Sequence, residues 1–328
     1  MPEIYVVTTS YPERQGDAQG HFVAAEVRHL GGLGNVTVLA PGAARRSLWG
    51  ERVVGLAGGS AFGFPGALQR LREDPRRWFE ATEFVASAVS WLRGAPTPTQ
   101  LVAHFLLPCG VPIATGGLRA GTAAVEVVVH GSDARLFAQL PLGKRWLARE
   151  LIHAGARLRF VSSELQRLVL ASLPARERRI LQTRSHVEAC VIDVGDALSR
   201  ERARRLLELP NDGRLAVVVA RLVESKRVHV ALEACERIPG LQSIVVGDGP
   251  ERDRLMRRFP NARFVGHVER PLALSYVAAA DVLVSASLDE GAPTVVREAR
   301  ALGTPVVCLA AGDVRRWAAS DSGIHVAP

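Results

Sequence analysis

Short runs of β-branched and apolar residues, each closed by a polar or glycine turn and followed by a stretch of helical spacing, recur along all 328 residues. No other feature limits the fold so sharply. Residues 4–10, 36–40, 101–105, 125–130 and 158–162 are such runs, and a second series follows at 215–220, 243–246, 263–265, 282–287 and 306–309. Most run apolar without alternating, as strands covered on both faces do. Strands separated by helical stretches mean βαβ units and mostly parallel sheets. The first predicted helix, at 21–30, carries Phe22, Ala25, Val27 and Leu30 at helical spacing and stops at Gly31-Gly32. Residues 182–199 read poorly as either element, whereas 200–207 reads as a helix and Pro210-Asn211-Asp212-Gly213 as a turn. The expectation is an α/β chain of two doubly wound, Rossmann-like domains, 1–195 and 196–328, facing a cleft. In such folds ligands bind beyond the carboxyl ends of the strands.

Composition removes other classes. The chain is 48% hydrophobic, too apolar for a disordered protein, and its glycines and prolines are dispersed. No apolar run reaches the roughly 18 residues of a membrane span, and Met1-Pro2-Glu3-Ile4-Tyr5 has no basic region of a secretory leader. Cys109, Cys190, Cys235 and Cys308 are too far apart for a zinc motif or a disulfide framework and suit a reducing cytosol. A cytoplasmic protein is expected. The net charge is +8, and only Lys144 and Lys226 among 41 basic residues are lysines. Positions 135–184 alone carry a net +8, a stretch that attracts anions: phosphorylated ligands, nucleic acid or an acidic leaflet.

The residues just after the strands carry the chemistry. After 282–287 comes Leu288-Asp289-Glu290-Gly291-Ala292-Pro293, then a helix from about Pro293 to Gly303 that contains Thr294 and, eight positions beyond Glu290, Glu298. Its N-terminus offers N–H groups to phosphate oxygens, and a carboxylate nearby can accept from sugar hydroxyls. After 215–220 come Arg221 and Lys226, two cations on one strand-to-helix loop, a pair able to hold a pyrophosphate. Val246-Gly247-Asp248-Gly249-Pro250 turns tightly after a strand, and Gly266-His267-Val268 can offer backbone groups to a nucleobase. The first loop holds Gly16 and Gly20 before a helix. His130-Gly131-Ser132-Asp133 and His104 follow strands of the first half. Taken singly, each also fits an ordinary loop, turn or solvated charge. Absent are Asp-x-Asp, paired histidines at metal-ligand helix spacing, Gly-x-Ser-x-Gly, the P-loop and Gly-x-Gly-x-x-Gly after the first strand.

Together these segments resemble the retaining glycosyltransferases of the GT-B fold, family 4. The likeness is clearest over about 100 residues, from Val219-Ala220-Arg221-Leu222 and Lys226 through Val246–Pro250 and Phe264–Val268 to Glu290-Gly291-Ala292-Pro293, Glu298-Ala299 and Gly303–Val307. Ser10-Tyr11-Pro12, Gly16, Gly20, His130–Asp133 and Val161-Ser162-Ser163-Glu164 extend it more loosely to the first half. The resemblance implies a hexosyltransferase taking a sugar from a nucleoside diphosphate sugar to a hydroxyl acceptor (a glycan, a lipid-linked or a small molecule). It implies retained anomeric configuration, with no metal and no cofactor beyond the donor. Arg221 and Lys226 would hold the diphosphate, Glu298 the ribose, Glu290 the donor sugar. His130 would touch the transferring sugar, and Gly16 would bring backbone N–H groups to the phosphate. Gly247, His267, Val268, Gly291, Ala292, Pro293 and Thr294 would complete the donor site.

The sequence also departs from that pattern. Ala220 and Arg227 stand where glycine is usual, the interdomain Gly-Val-Asp segment is unrecognisable in Cys190–Asp196, and Pro328 precedes the helices that usually cross back to the first domain. Two alternatives follow, a non-catalytic nucleotide-sugar-binding subunit and a sugar-nucleotide epimerase on the same scaffold. Nucleic-acid binding is not expected, since the basic stretch lacks stacked aromatics and a helix-turn-helix pattern. Trp146 among Lys144, Arg145 and Arg149 fits instead a peripheral contact with an anionic inner membrane face.

Overall fold

The computed structural model describes all residues except 15, 48, 63–69, 72, 116–122, 197 and 289, with the backbone alone at residue 60. The chain divides into two compact units, Met1–Val191 and Ile192–Pro328, where the sequence alone places the division at 195.

The first unit is built on an eight-stranded sheet in the order β3-β4-β2-β1-β5-β6-β7-β8. Its strands are β1 (Glu3–Val7), β2 (Asn35–Pro41), β3 (Arg45–Arg46), β4 (Arg52–Leu56), β5 (Gln100–His104), β6 (Ala124–Val129), β7 (Arg157–Phe160) and β8 (Ser185–Val187). All neighbours are parallel except β3 with β4. The crossovers include helices α1 (His21–Gly31), α2 (Arg77–Gly94), α3 (Gly110–Thr115), α4 (Gly131–Gln139), α5 (Lys144–His153), α6 (Ser163–Ala171) and α7 (Ala175–Thr183). The stretch with no clear sequence reading holds the end of α7 and the three-residue edge strand β8. β5 stops at His104 because Phe105 takes a left-handed φ of 76°, which turns the chain out of the sheet.

The second unit has six parallel strands in the order β11-β10-β9-β12-β13-β14. They are β9 (Arg214–Val219), β10 (Leu241–Val246), β11 (Arg263–Gly266), β12 (Val282–Ser285), β13 (Val306–Cys308) and β14 (Ile324–Val326). Helices α8 (Arg200–Leu206), α9 (Val228–Glu236), α10 (Arg252–Arg258), α11 (Arg270–Ala279), α12 (Thr294–Ala301) and α13 (Val314–Ala318) cover both faces. Strand alternation divides the core. Leu215, Val217, Ile244 and Val246 pack with Leu283, Val306 and the apolar sides of α8, α11 and α12. Val218 and Val245 point the other way, against Val228, Leu232, Leu255 and Phe259. Among the described residues no helix is long and apolar enough to cross a membrane.

Candidate functional site

In the second unit β9 lies between β10 and β12, so the strand order reverses there. Beyond the carboxyl ends of such a pair the two following loops diverge and leave a crevice. The loop after β9 carries Lys226 and the loop after β12 carries Glu290. Lys226 Nζ meets Glu290 Oε1 in an ion pair, and each side chain keeps about 18% of its surface exposed. The backbone stitches the same loops, Leu288 N donating to Ser225 O at 3.3 Å. The helix expected near Pro293 begins at Thr294 with Pro293 as its N-cap and no side chain capping it. Its first amides therefore face the crevice end of the loop that carries Glu290. Gly291 is buried below that loop. A Cβ on Gly312, whose φ is +57°, would come within 2.0 Å of Gly291 O, so glycine at 312 is what allows the loop to lie down.

The other expected donor residues divide. Gly247 has a φ of +133°, and a Cβ there would fall 1.9 Å from Ala220 O. Its N–H donates to Gly266 O at 2.8 Å and Ala220 N donates to Val246 O at 3.0 Å. Gly247 thus lets the chains leaving β9, β10 and β11 run side by side. Arg221 is exposed, and its guanidinium makes no ion pair or hydrogen bond among the described residues. Val268 is half-buried and packs on the core, while His267 is exposed. Glu298 is buried on α12 and is gripped by Arg270 at the start of α11, with Nη2 at 2.7 Å and Nε at 3.1 Å from the same carboxylate oxygen. Arg270 also donates to Asp193 O at the beginning of the unit. Of the four side chains expected to share a pocket, the structure therefore joins Lys226 to Glu290, leaves Arg221 apart and gives Glu298 a guanidinium partner. The sequence carries no sign of Arg270, one arginine among thirty-nine.

In the first unit the expected residues lie at the ends of β1, β5 and β6. Gly16 has a φ of 92° in a turn that Asp17 closes, its Oδ2 accepting from Glu13 N and Arg14 N at 2.8 Å each. His130 follows β6 and stands before α4. Its ring lies 4.5 Å from that of Phe105 and 5.1 Å from that of Phe22. Its Nε2 is 3.3 Å from Nδ1 of His104, whose side chain is wholly buried at the end of β5. Asp133 ties the two turns together, Oδ2 accepting from Leu106 N at 2.6 Å and from His130 N at 3.3 Å. Burial, helped by the charge of Arg159, pushes the His130 pKa down to about 3, so the ring is neutral near pH 7. Burial, with His130 and Arg159 beyond it, lowers His104 well below the usual range. Burial also raises the Asp133 carboxyl to about 7 against the N–H bonds that favour its ionised form. The sequence singles out the two histidines separately, and their contact is legible only in the fold.

Two units, each built on a mostly parallel, doubly wound sheet, give the GT-B architecture. Among solved structures, sucrose-phosphate synthase of Thermosynechococcus elongatus superposes with a TM-score of 0.74 at 16% identity, covering 100% of this chain and 86% of that one. Anabaena HepE, in complex with UDP and glucose, gives 0.63 at 14% identity over 96% and 83%. Residues 199–328 match the family described as Glycosyl transferases group 1. Over 333 residues the chain is 29% identical to TuaC of Bacillus subtilis, named as a teichuronic acid biosynthesis glycosyltransferase, covering 95% of this chain and 82% of that protein. Residues 199–328 thus form a group 1 glycosyltransferase domain, and the relationships of the whole chain are those of a glycosyltransferase, an enzyme that moves a sugar from a nucleotide-sugar donor to an acceptor. Neither the epimerase nor the non-catalytic subunit is favoured by these relationships.

Proposed function

We propose that this glycosyltransferase, of family 4, transfers a hexose from a nucleoside diphosphate donor to a hydroxyl acceptor with retention, and that it needs no metal and no cofactor. The observation that carries the reading is the Lys226–Glu290 pair at the switch point of the second sheet, beside the uncapped start of α12. Cleavage of the anomeric C–O bond leaves an oxocarbenium-like centre and a departing diphosphate. Lys226, Arg221 and the α12 amides supply positive charge where the negative charge grows, a contribution of about 10²–10³ in rate per well-placed donor. Glu290 accepts from hydroxyls of the donor sugar, and Glu298 accepts from the ribose beside Arg270. His130, neutral, serves as a hydrogen-bonding wall for the sugar and not as a charged acid. The acceptor attacks on the face from which the phosphate leaves, and a phosphate oxygen takes its proton.

Replacing Lys226 or Glu290 by Ala is expected to lower kcat by about 10²–10³ while the fold is retained. Near wild-type turnover of both variants would refute the assignment. A thermal-shift panel of UDP-, GDP-, ADP- and TDP-sugars identifies the donor, because a ligand that binds only the folded chain raises its Tm.

A peripheral membrane contact is the second part of the proposal. Leu142 is 84% exposed and Trp146 44% exposed, on either side of Lys144. Apolar and aromatic side chains beside cations suit a lipid interface, where lipid-linked acceptors lie.

A further inference from the structure

The described residues of the first unit hold three nitrogen and sulfur donors that sugar transfer does not require together. One ring nitrogen of His104, one of His130 and Cys190 Sγ all lie within 4.8 Å of one another. They come from the ends of β5 and β6 and from the last residues of the unit, so the fold, and no local motif, assembles them. Both Cys190 and His104 are buried. Two imidazoles and a thiolate form a borderline-soft set that takes zinc-like ions in preference to magnesium or calcium. His104 Nδ1 and His130 Nε2 stand 3.3 Å apart, close to the separation of about 3.3 Å that two nitrogens have when each lies 2.0–2.1 Å from one tetrahedral ion.

A carboxylate stands behind the far side of His104. Nε2 lies 3.8 Å from Glu26 Oε2, beyond hydrogen-bonding distance, and has no hydrogen-bond partner among the described residues. A carboxylate behind a ligating imidazole fixes its tautomer and raises its basicity. Glu26 is in turn held by Arg159, which also meets Glu126 at 3.1 Å. Two carboxylates against one guanidinium offset part of the Arg159 charge that the two histidines feel. His186 also faces Glu126, at 3.8 Å, from the edge strand β8.

The geometry points to His104, His130 and Cys190 as a capture site for a zinc-like divalent ion, whose binding stops sugar transfer by occupying the His130 ring nitrogen. Binding forms two metal–nitrogen bonds and one metal–sulfur bond and releases the thiol proton to solvent, with no change of oxidation state. The inhibitory half rests on the role given to His130 under the proposed function; the ion binding does not.

The test uses the full chain, stripped with a chelator and titrated with Co(II), and separately with Zn(II). Wild type is expected to bind a single Co(II) with a near-ultraviolet thiolate-to-cobalt band and the visible bands of a tetrahedral ion. Cys190→Ser is expected to lose the near-ultraviolet band, Cys109→Ser to keep it, and Glu26→Gln to weaken binding by roughly tenfold. Thermal melts of each variant confirm that it is folded. Zn(II) is expected to suppress transfer by wild type and to spare Cys190→Ser. No thiolate band in wild type, or a band that survives Cys190→Ser in a folded chain, overturns the site. Ion binding with the expected variant pattern but undiminished transfer overturns the inhibition, and with it the role of His130, while leaving the ion site standing.

Discussion

Arg227 occupies a position where the family pattern places glycine, and its backbone explains the preference: φ is +46° and ψ +41°, in the left-handed region, at the start of α9. A non-glycine residue held there is strained by about 1–2 kcal/mol. Arg227→Gly is therefore expected to stabilise the chain by about 1 kcal/mol, after allowance for the freer unfolded backbone. A rise in the urea midpoint at constant m measures it, and an unchanged or lower midpoint contradicts it. His130 gives a second expectation. Its folded pKa lies below its unfolded value, so the folded chain binds fewer protons, and the penalty appears only as pH falls through about 6.5 towards 3. Between about pH 5.5 and 8 the kcat/KM profile should show no histidine limb from this residue. A limb in that window that vanishes in His130→Gln would show that the ring titrates. Lys226 is legible in the sequence because lysine is so rare in this chain, and Glu290 and Glu298 through their spacing. Arg270 is not, since its importance comes from the direction of its guanidinium and not from its type.

Ten strands were legible from apolar runs and their punctuation, whereas β3, β4, β8 and β14, all short strands of two to five residues, were not. The runs at 282–287 and 101–105 end two and one residues early, at Ser285 and His104, where the chain leaves the sheet. Side chains within helices were less readable. Arg204, in the Arg-rich helix α8, looks like a surface residue, yet its side chain is 2% exposed. Its Nε donates to Ala279 O at 2.9 Å, Nη1 to Pro210 O at 3.0 Å and Asn211 O at 2.6 Å, and Nη2 to Asp281 Oδ2 at 3.0 Å. Asp281 also accepts from Leu215 N at 2.7 Å and pairs with Arg200. One guanidinium thus joins α8, the end of α11 and the entry to β9. Arg204→Met removes these donors and leaves buried carbonyls and a carboxylate without them, so a loss of about 3–5 kcal/mol is expected. Equilibrium denaturation followed by tryptophan fluorescence checks the value, and a loss below about 1 kcal/mol, the level of an ordinary surface pair, would show that the latch is dispensable.

For the whole molecule, the alternation of strands and helices specifies two doubly wound sheets because parallel strands need long crossovers and both faces of each sheet must be covered. Charge is less legible. The stretch 135–184 has a formal +8, a figure that already counts Glu177 beside Arg145 and Arg149, but Arg159 is also buried against Glu26 and Glu126 from outside the stretch. The field it presents is weaker than its residue count. A membrane contact therefore depends on Leu142 and Trp146 together with the remaining cations. Flotation with vesicles is expected to recover more protein when acidic lipid is included, and less with Trp146→Ala; equal recovery from neutral and acidic vesicles would end that reading.

The Lys226–Glu290 contact has a practical consequence in a chain with two lysines. Apart from the amino terminus, an acylating reagent finds only Lys144 and Lys226, and a ligand seated beside Glu290 covers the second and not the first. Occupancy of the crevice thereby becomes a ratio of two labelled peptides in a single digest, read without following any sugar.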